Sequence, residues 1–329
     1  MNAMNRRQVL ACGLATALPC VAVPALGQGA YPSRSLKLVV PYGPGGSTDV
    51  AARLVADHMG RTLGQPIVVE NRPGGAANPG TASVAGSAPD GYTLLLGTSH
   101  VLAGNAAIFP KLPFDPIKDF APIGMIFLAP SMVMVHPGVQ ARSVAELIAL
   151  IKPNPGKFSY GSGGIGASSH FAGEMMNYMA GTKMVHVPYK GDAASINDAI
   201  GGHVPVVFCN IPSGIGFHRS GQLRALGVTS SVRVPAYRDI PTIAEGGLPG
   251  FDLTSWFTLM APAGTPEPVV RKLSEALAEA LRDNAVRDRV TTLGGFVSPM
   301  KPDELGAFIR MEIPKWTKIA RDANIRAQE

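Results

Sequence analysis

The sequence predicts an α/β protein of two lobes, the second inserted into the first. Three observations carry that expectation. The 329 residues exceed one ordinary core and suit two α/β lobes of moderate size. Short apolar runs alternate with helical patterns along most of the chain. Two Pro-rich breaks, "PKLPFDPIKDFAP" at 110–122 and "PAYRDIPTIAEGGLP" at 235–249, bracket the stretch assigned to the second lobe. The lobes are drawn at 28–128 plus 249–329 and at 129–248. Strand ends from both lobes then surround one cleft, where ligands of open α/β sheets bind.

Along the chain, "MNAMNRRQVLACGLATALPCVAVPALGQ" begins basic, continues apolar from Val9 to Leu18, and ends in small residues at Ala25 and Gly27. That is a secretory leader over 1–27. "NRRQVL" also fits a twin-arginine leader, so both export routes stand. "VLAC" resembles a lipoprotein box, but too little apolar sequence precedes Cys12 for it to serve as one. No later stretch of apolar residues is long enough to cross a bilayer, so the mature chain is expected in the periplasm and outside the membrane. Cys12 and Cys20 leave with the leader, and the remaining Cys209 reads as a small buried apolar residue.

Apolar runs at 36–40, 67–69, 92–96, 132–135, 158–160, 184–187, 204–208 and 223–228 are expected as buried strands. Helical patterns occupy 49–63, 144–151, 168–180 and 195–201 between them, which implies parallel sheets covered on both faces. Two amphipathic helices, 267–283 and 302–323, close the chain.

The balance of charge excludes some functions. The formal charge is +6, two of those charges (Arg6 and Arg7) lie in the leader, and no later basic run exceeds two residues. With aromatics at only 6%, a nucleic-acid platform is not expected. The histidines show no paired metal spacing, and no metal or cofactor is expected.

"VVPYGPGGSTDVAARL" at 39–54 runs a strand through a glycine turn into a helix. It lacks the Lys of a nucleotide phosphate loop. Gly45 and Gly46 let backbone approach a ligand closely, and the helix start offers unpaired N–H groups to a carboxylate-sized anion. Ser47, Thr48 and Asp49 stand at that start, where Thr48 or Asp49 also suits a plain helix cap.

"GSGGIG" at 161–166 matches a dinucleotide fingerprint only by spacing, because no suitably placed acid follows. It reads better as a second anion loop, with the hydroxyls of Ser162 and Ser168. "TSHVLAGN" at 98–105 brings Thr98, Ser99 and His100 beside the first loop, with His100 read as either a ligand contact or a surface residue. Asn210 follows the strand "VPVVFC" at a strand end. An exported hydrolase using Ser168 and His170 is the rival from another class, although no nucleophile-elbow motif supports it.

Several stretches in order resemble the periplasmic receptors of tripartite tricarboxylate transporters, also called Bug receptors. They include "APDGYTLLLGT", "LPFDPIKDFAPIG", "PGKFSYGSGGIGASSHFAGEMM", "VHVPYKG", "RALGVTS" and "WFTLMAPAGTPEPVVRKL". The resemblance implies a class II periplasmic-binding-protein fold, the two-lobe flytrap, which closes over a small carboxylated metabolite without catalysing a reaction. It implies a carboxylate held by backbone N–H groups and ordered waters in Tyr42–Asp49 and Thr98–Asn105, with Tyr42 over the apolar part. It also implies roles for Asn78 in "GGAANPG" (where Pro79 departs from the pattern), for the Ser162–Gly166 loop including Gly163, and for Asn210. The implied partners are the ligand and the membrane subunits of a transporter, with a monomeric receptor; a sensory receptor without transport is the alternative. Two departures stand out: Ala167 replaces a usual Thr or Ser, and Cys209 replaces a usual Asp. Together they predict a ligand whose far end is less polar or less cationic than an amino acid.

Overall fold

A computed structural model describes residues 31–327, and the leader expected over 1–27 lies outside the described residues. The first sheet begins with β1 (Leu36–Val40), β2 (Ile67–Asn71) and β3 (Thr93–Thr98), parallel in the order β2–β1–β3. A long strand, β4 (Phe120–Val135), leaves this sheet for the second one. In the second sheet β5 (Ser159–Ser162), β6 (Val185–Pro188) and β7 (Val206–Asn210) are parallel, and β8 (Arg224–Val228) lies antiparallel to β4. The chain returns through β9 (Thr254–Pro262), which lies antiparallel between β3 and β4.

Beside β9, β4 is paired from Phe120 to Pro130; from Ser131 its partners are β7 and β8. At that change Thr229 N–H donates to Ser131 O (2.9 Å), Ser131 N–H donates to Thr229 Oγ1 (2.9 Å), and Leu253 N–H donates to Thr229 O (2.9 Å). Two chain segments, β4 and the lead into β9, therefore cross between the sheets, and Thr229 at the end of β8 is bonded to both.

Period-two alternation decides which residues face which helices. Leu38, Val40, Leu94 and Leu96 face one way, against α1 (Ser47–Leu63), α8 (Glu267–Ala280) and α9 (Asn284–Thr292). Val39 and Leu95 face the other way, toward α2 (Asn78–Ala85) and α10 (Pro302–Asp322). The short helix α3 (Asn105–Ile108) packs on α10. In the second lobe α4 (Val144–Ile151) and α5 (Ser168–Ala180) share the core of α10, while α6 (Asp192–Ile200) and α7 (Ile211–Arg219) cover Val207 and Cys209.

The C-terminal helix α10 ties the lobes together. Trp316 is fully buried, and its ring lies 4.7 Å from Phe171 of α5. Glu312 accepts from both indoles, Trp256 Nε1 (3.2 Å) and Trp316 Nε1 (3.0 Å), and from Lys315 Nζ (2.9 Å). A buried carboxylate is tolerable there because its charge is met and its oxygens are satisfied.

The all-parallel expectation does not hold. Parallel strands flank a core of antiparallel pairs, because β4 and β9 serve both lobes and run in opposite directions. The break at 110–122 is not wholly a connection either, since Phe120–Pro122 already belong to β4. Pro122 sits at a register shift, where its missing N–H costs no ladder bond. Strand β9 and helices α2, α7 and α9 are further elements that the hydropathy pattern did not mark. Among the described residues, no helix is long and apolar enough to cross a membrane.

Candidate functional site

Between the lobes lies a cleft of about 580 Å³. Three helices start at it: α1 after Gly46, α5 after Ala167 and α7 after Asn210. None of the three N-cap residues supplies a side-chain cap. At α1 and α5 the first-turn N–H groups have no intrahelical acceptor and remain for an acceptor from outside. At α7, by contrast, Pro212 has no N–H and the Asn210 N–H already donates to Asp192 Oδ2 (2.9 Å). With the positive ends of three helix dipoles, the free groups at α1 and α5 favour negative charge.

The sequence-predicted residues divide into two groups. Tyr42, Gly45, Thr48, Thr98, Ser99, His100, Ala167, Ser168 and Asn210 line the cleft. Gly46, Asp49, Asn78, Ser162, Gly163 and Gly166 do not, and most are occupied with holding the loops that do; the side chain of Ser47 lies outside the described residues. Asp49 is 3% exposed and accepts from Gly45 N–H (3.0 Å), Arg53 Nε (3.0 Å) and Asn71 Nδ2 (2.9 Å). The Arg53 hydrogen bond, with help from Gly45 and Asn71, brings its carboxyl down to about 2. Asp49 thus satisfies the backbone of the first loop. Asp49→Ala strands three donors at once, and urea unfolding should show a loss of about 1–3 kcal/mol. A loss under about 0.5 kcal/mol would deny Asp49 this role.

Similarly, Asn78 Oδ1 accepts from Asn105 Nδ2 (2.8 Å), which also reaches Ala76 O (2.7 Å). Ala76 and Ala77 have positive φ (53° and 69°), so this turn is held in a left-handed conformation at a cost that the Asn105 amide helps to offset. Tyr42 and Thr98 join the first and third loops through their hydroxyls (2.7 Å), and burial pushes the phenol up to about 12. The segment after Thr98 is a π-helical turn, His100–Gly104, of a kind frequent at functional sites.

The second loop, 161–167, is held by histidines. His170 Nδ1 accepts from Gly166 N–H (3.2 Å), while His100 Nδ1–H, from the first lobe, donates to Gly166 O (3.0 Å). Ser162 is fully buried and bonds His186 Nε2 (2.7 Å), and the rings of His170 and His186 stack at 3.8 Å. Gly163 N–H donates to Ser169 Oγ (3.1 Å), and a Cβ there would lie 2.8 Å from Asp192 Oδ1. Ser168 forms no hydrogen bond with His170, whose Nδ1 is committed to the loop.

Cys209 corrects one inference. Its side chain is fully buried among Met132, Met134 and Gly214, so its identity does not alter the charge of the cleft. The local carboxylate is Asp192, whose Oδ2 accepts from Asn210 N–H (2.9 Å) and Nδ2 (2.8 Å). Burial raises its pKa.

Sequence reasoning missed the cleft's apolar floor and the charged side chain among its described lining residues. Phe127 and Phe257 are opposed across β4 and β9 and stack at 4.2 Å. From α9 come Arg289, Thr292 and Leu293. Their spacing puts them on one helical face, a signal visible only once α9 is recognised. Among the described residues His, Cys, Asp and Glu side chains form no cluster suited to a metal ion.

Comparison with known proteins agrees with this architecture. The chain is 35% identical to BugT of Bordetella pertussis over 325 residues, covering 98% of this chain and 99% of that one. The structure is similar to that of Rpa4515 from R. palustris, solved with adipate (TM-score 0.77, 34% identity, covering 90% and 99% of the two chains). It is also similar to MatC from Rhodopseudomonas palustris with bound malate (TM-score 0.72, 32% identity, covering 88% and 99%). The fold is therefore the two-lobe type of these periplasmic solute-binding proteins. Residues 51–325 match the model of the tripartite tricarboxylate transporter family receptor, and the chain belongs to that family.

Proposed function

We propose that this protein captures a small organic carboxylate in the periplasm by closing its two lobes, and presents it to the membrane subunits of a tripartite transporter. The observation that carries the reading is the convergence of two uncapped helix starts, those of α1 and α5, on one cleft whose lining contains Arg289 and no Asp or Glu. Adipate and malate, the acids found with two of the similar proteins, belong to the same class. The contacting groups are the N–H donors at Thr48 and Ser168, the polar side chains of Thr98, Ser99, His100 and Asn210, and the aromatic face of Tyr42. The lobes are 28–128 plus 249–329 and 129–248, and they hinge where β4 changes partners. The mature receptor acts as a monomer after loss of residues 1–27 through the Sec or twin-arginine route. It needs no catalytic step, because closure and a difference in affinity between open and closed forms suffice.

Thermal-shift screening of the mature chain against mono-, di- and aromatic carboxylates tests the reading. A saturating acid at about a hundredfold over its Kd adds about 2.7 kcal/mol and raises the melting temperature by several degrees. The reading falls if no carboxylate stabilises the protein. Turnover of carboxylate esters that disappears in Ser168→Ala would replace it with the hydrolase.

A further inference from the structure

Arg289 is the one charged side chain among the described residues that line the cleft. It enters none of the ion pairs formed among the described residues. The reason lies in α9 itself. One helical turn away in each direction stand Ala285, Val286, Thr292 and Leu293, and none of them offers a carboxylate. Arg53, Arg61 and Arg271, by contrast, each meet an acid one turn away on their own helix. The guanidinium of Arg289 is left with its donors free at the edge of a ligand-sized space.

The surroundings define what it would recognise. Thr292 and Leu293 of the same helical face line the cleft beside it, and the stacked Phe127–Phe257 pair forms the floor. The end of α9 is packed on the start of α7, where a Cβ at Gly294 would lie 2.4 Å from Pro212 Cδ. Arg289 is therefore a second positive locus in the cleft, supplied by its own side chain and not by the α7 start, whose Asn210 N–H is already met by Asp192. The first locus lies at the α1 and α5 starts, with Tyr42 and Ala167. Ala167 adds no hydroxyl between them.

We infer that Arg289 binds a second carboxylate, and that the protein selects straight-chain dicarboxylates with an apolar spacer over monocarboxylates and amino acids. This rests on the receptor reading above and adds to it a residue and a ligand class. Helix starts supply a diffuse positive potential. A guanidinium supplies a planar fork that matches a carboxylate with two parallel hydrogen bonds. Methylene groups lie over the aromatic floor without stranding a polar group, whereas an α-ammonium at the far end would face a like charge.

The experiment is a calorimetric titration of the straight-chain diacids from succinate to suberate, each paired with its monomethyl ester, against wild type and Arg289→Gln. Esterification removes one charge and keeps the chain. The best diacid should bind wild type about tenfold more tightly than its ester. Arg289→Gln should bring that ratio close to one by weakening the diacid and leaving the ester unchanged. Its melting temperature should match wild type, since the Arg289 side chain has no ion-pair partner to lose among the described residues. Arg289→Glu should reverse the preference, so that the ester binds better than the diacid. Equal binding of diacid and ester by wild type overturns the inference, and so does equal weakening of both by Arg289→Gln. If neither acids nor esters bind wild type at all, the receptor reading itself falls and takes the inference with it.

Discussion

Gly46→Asp abolishes carboxylate binding and leaves the unliganded chain as stable as before. Gly46 is the N-cap of α1 at φ −75°, ψ 169°, an extended conformation open to any L residue. A Cβ at this position meets nothing within 4 Å, so the new side chain has room. An N-cap Asp accepts from the N–H groups of the first turn and gains a few tenths of a kcal/mol over Gly. Those same N–H groups are the proposed donors to the ligand. The substituted carboxylate takes them from within the chain and repels any acid that approaches.

The expected loss of affinity is at least a hundredfold, about 2.7 kcal/mol, read by calorimetry with the acid that the thermal-shift panel identifies. Two controls separate capping from charge. Gly46→Ser caps the helix without a charge and should lose less. Ala167→Asp applies the same substitution to the start of α5, which is also extended (φ −65°, ψ 153°), and should lose as much. Wild-type affinity in both Asp variants would place the anion site elsewhere.

How much of this was legible before the structure differs from element to element. Helices α4 and α5 begin and end where the apolar spacing puts them, because each is a single amphipathic turn-bounded segment. Strand β9 escaped for the opposite reason. It is buried on both faces, shows no alternation, and follows an irregular return from β8 instead of a helix. Its antiparallel partners lie more than a hundred residues away, and local pattern carries no information about them.

The site was legible as two glycine loops but not as a division of labour within them. Asp49, Asn78 and Ser162 are polar residues in the expected loops, yet their hydrogen bonds go to the protein. A buried loop must satisfy its own backbone first, and residue type alone does not say which side chains do so. Cys209 shows the same limit in a strand. Val207 and Cys209 face one core while Val206 and Phe208 face the other, so the residue just before Asn210 points away from the cleft. Parity along β7 would have revealed this had the register been known. Arg289 lies in a polar helix with only Val286 and Val290 buried, so nothing local marks it out.

Acidification should loosen the second loop before it unfolds the rest. Desolvation brings His170 down to about 3, with a smaller contribution from His186, and brings His186 itself down to about 4. Burial also lowers His100. In the fold these imidazoles are neutral, and His170 must stay so because its Nδ1 accepts the Gly166 N–H. In the unfolded chain they titrate at the ordinary value near 6.5. Their contribution is therefore complete above pH 6.5 and is lost as pH falls toward 3–4. Each costs up to about 1.4 kcal/mol per pH unit within that window.

Two neighbouring acids act in the opposite sense. Glu174, bonded to Tyr160 beside His186, and Asp192, beside Gly163, are both raised by burial. Protonating them favours the fold and offsets part of the loss from the histidines. Denaturant midpoints should consequently fall between pH 6.5 and 5, with amide exchange in 161–167 accelerating first. In His170→Asn an amide oxygen can still accept the Gly166 N–H, but the group no longer titrates, so the slope should drop by one proton. An unchanged slope in that variant, or constant stability from pH 7.5 to 5.5, would mean that the stacked histidines do not control the loop. The same histidine pair fixes the backbone at the start of α5, so an acid-loosened loop should also release a bound carboxylate, measured as a faster ligand off-rate at pH 5.5 than at 7.5.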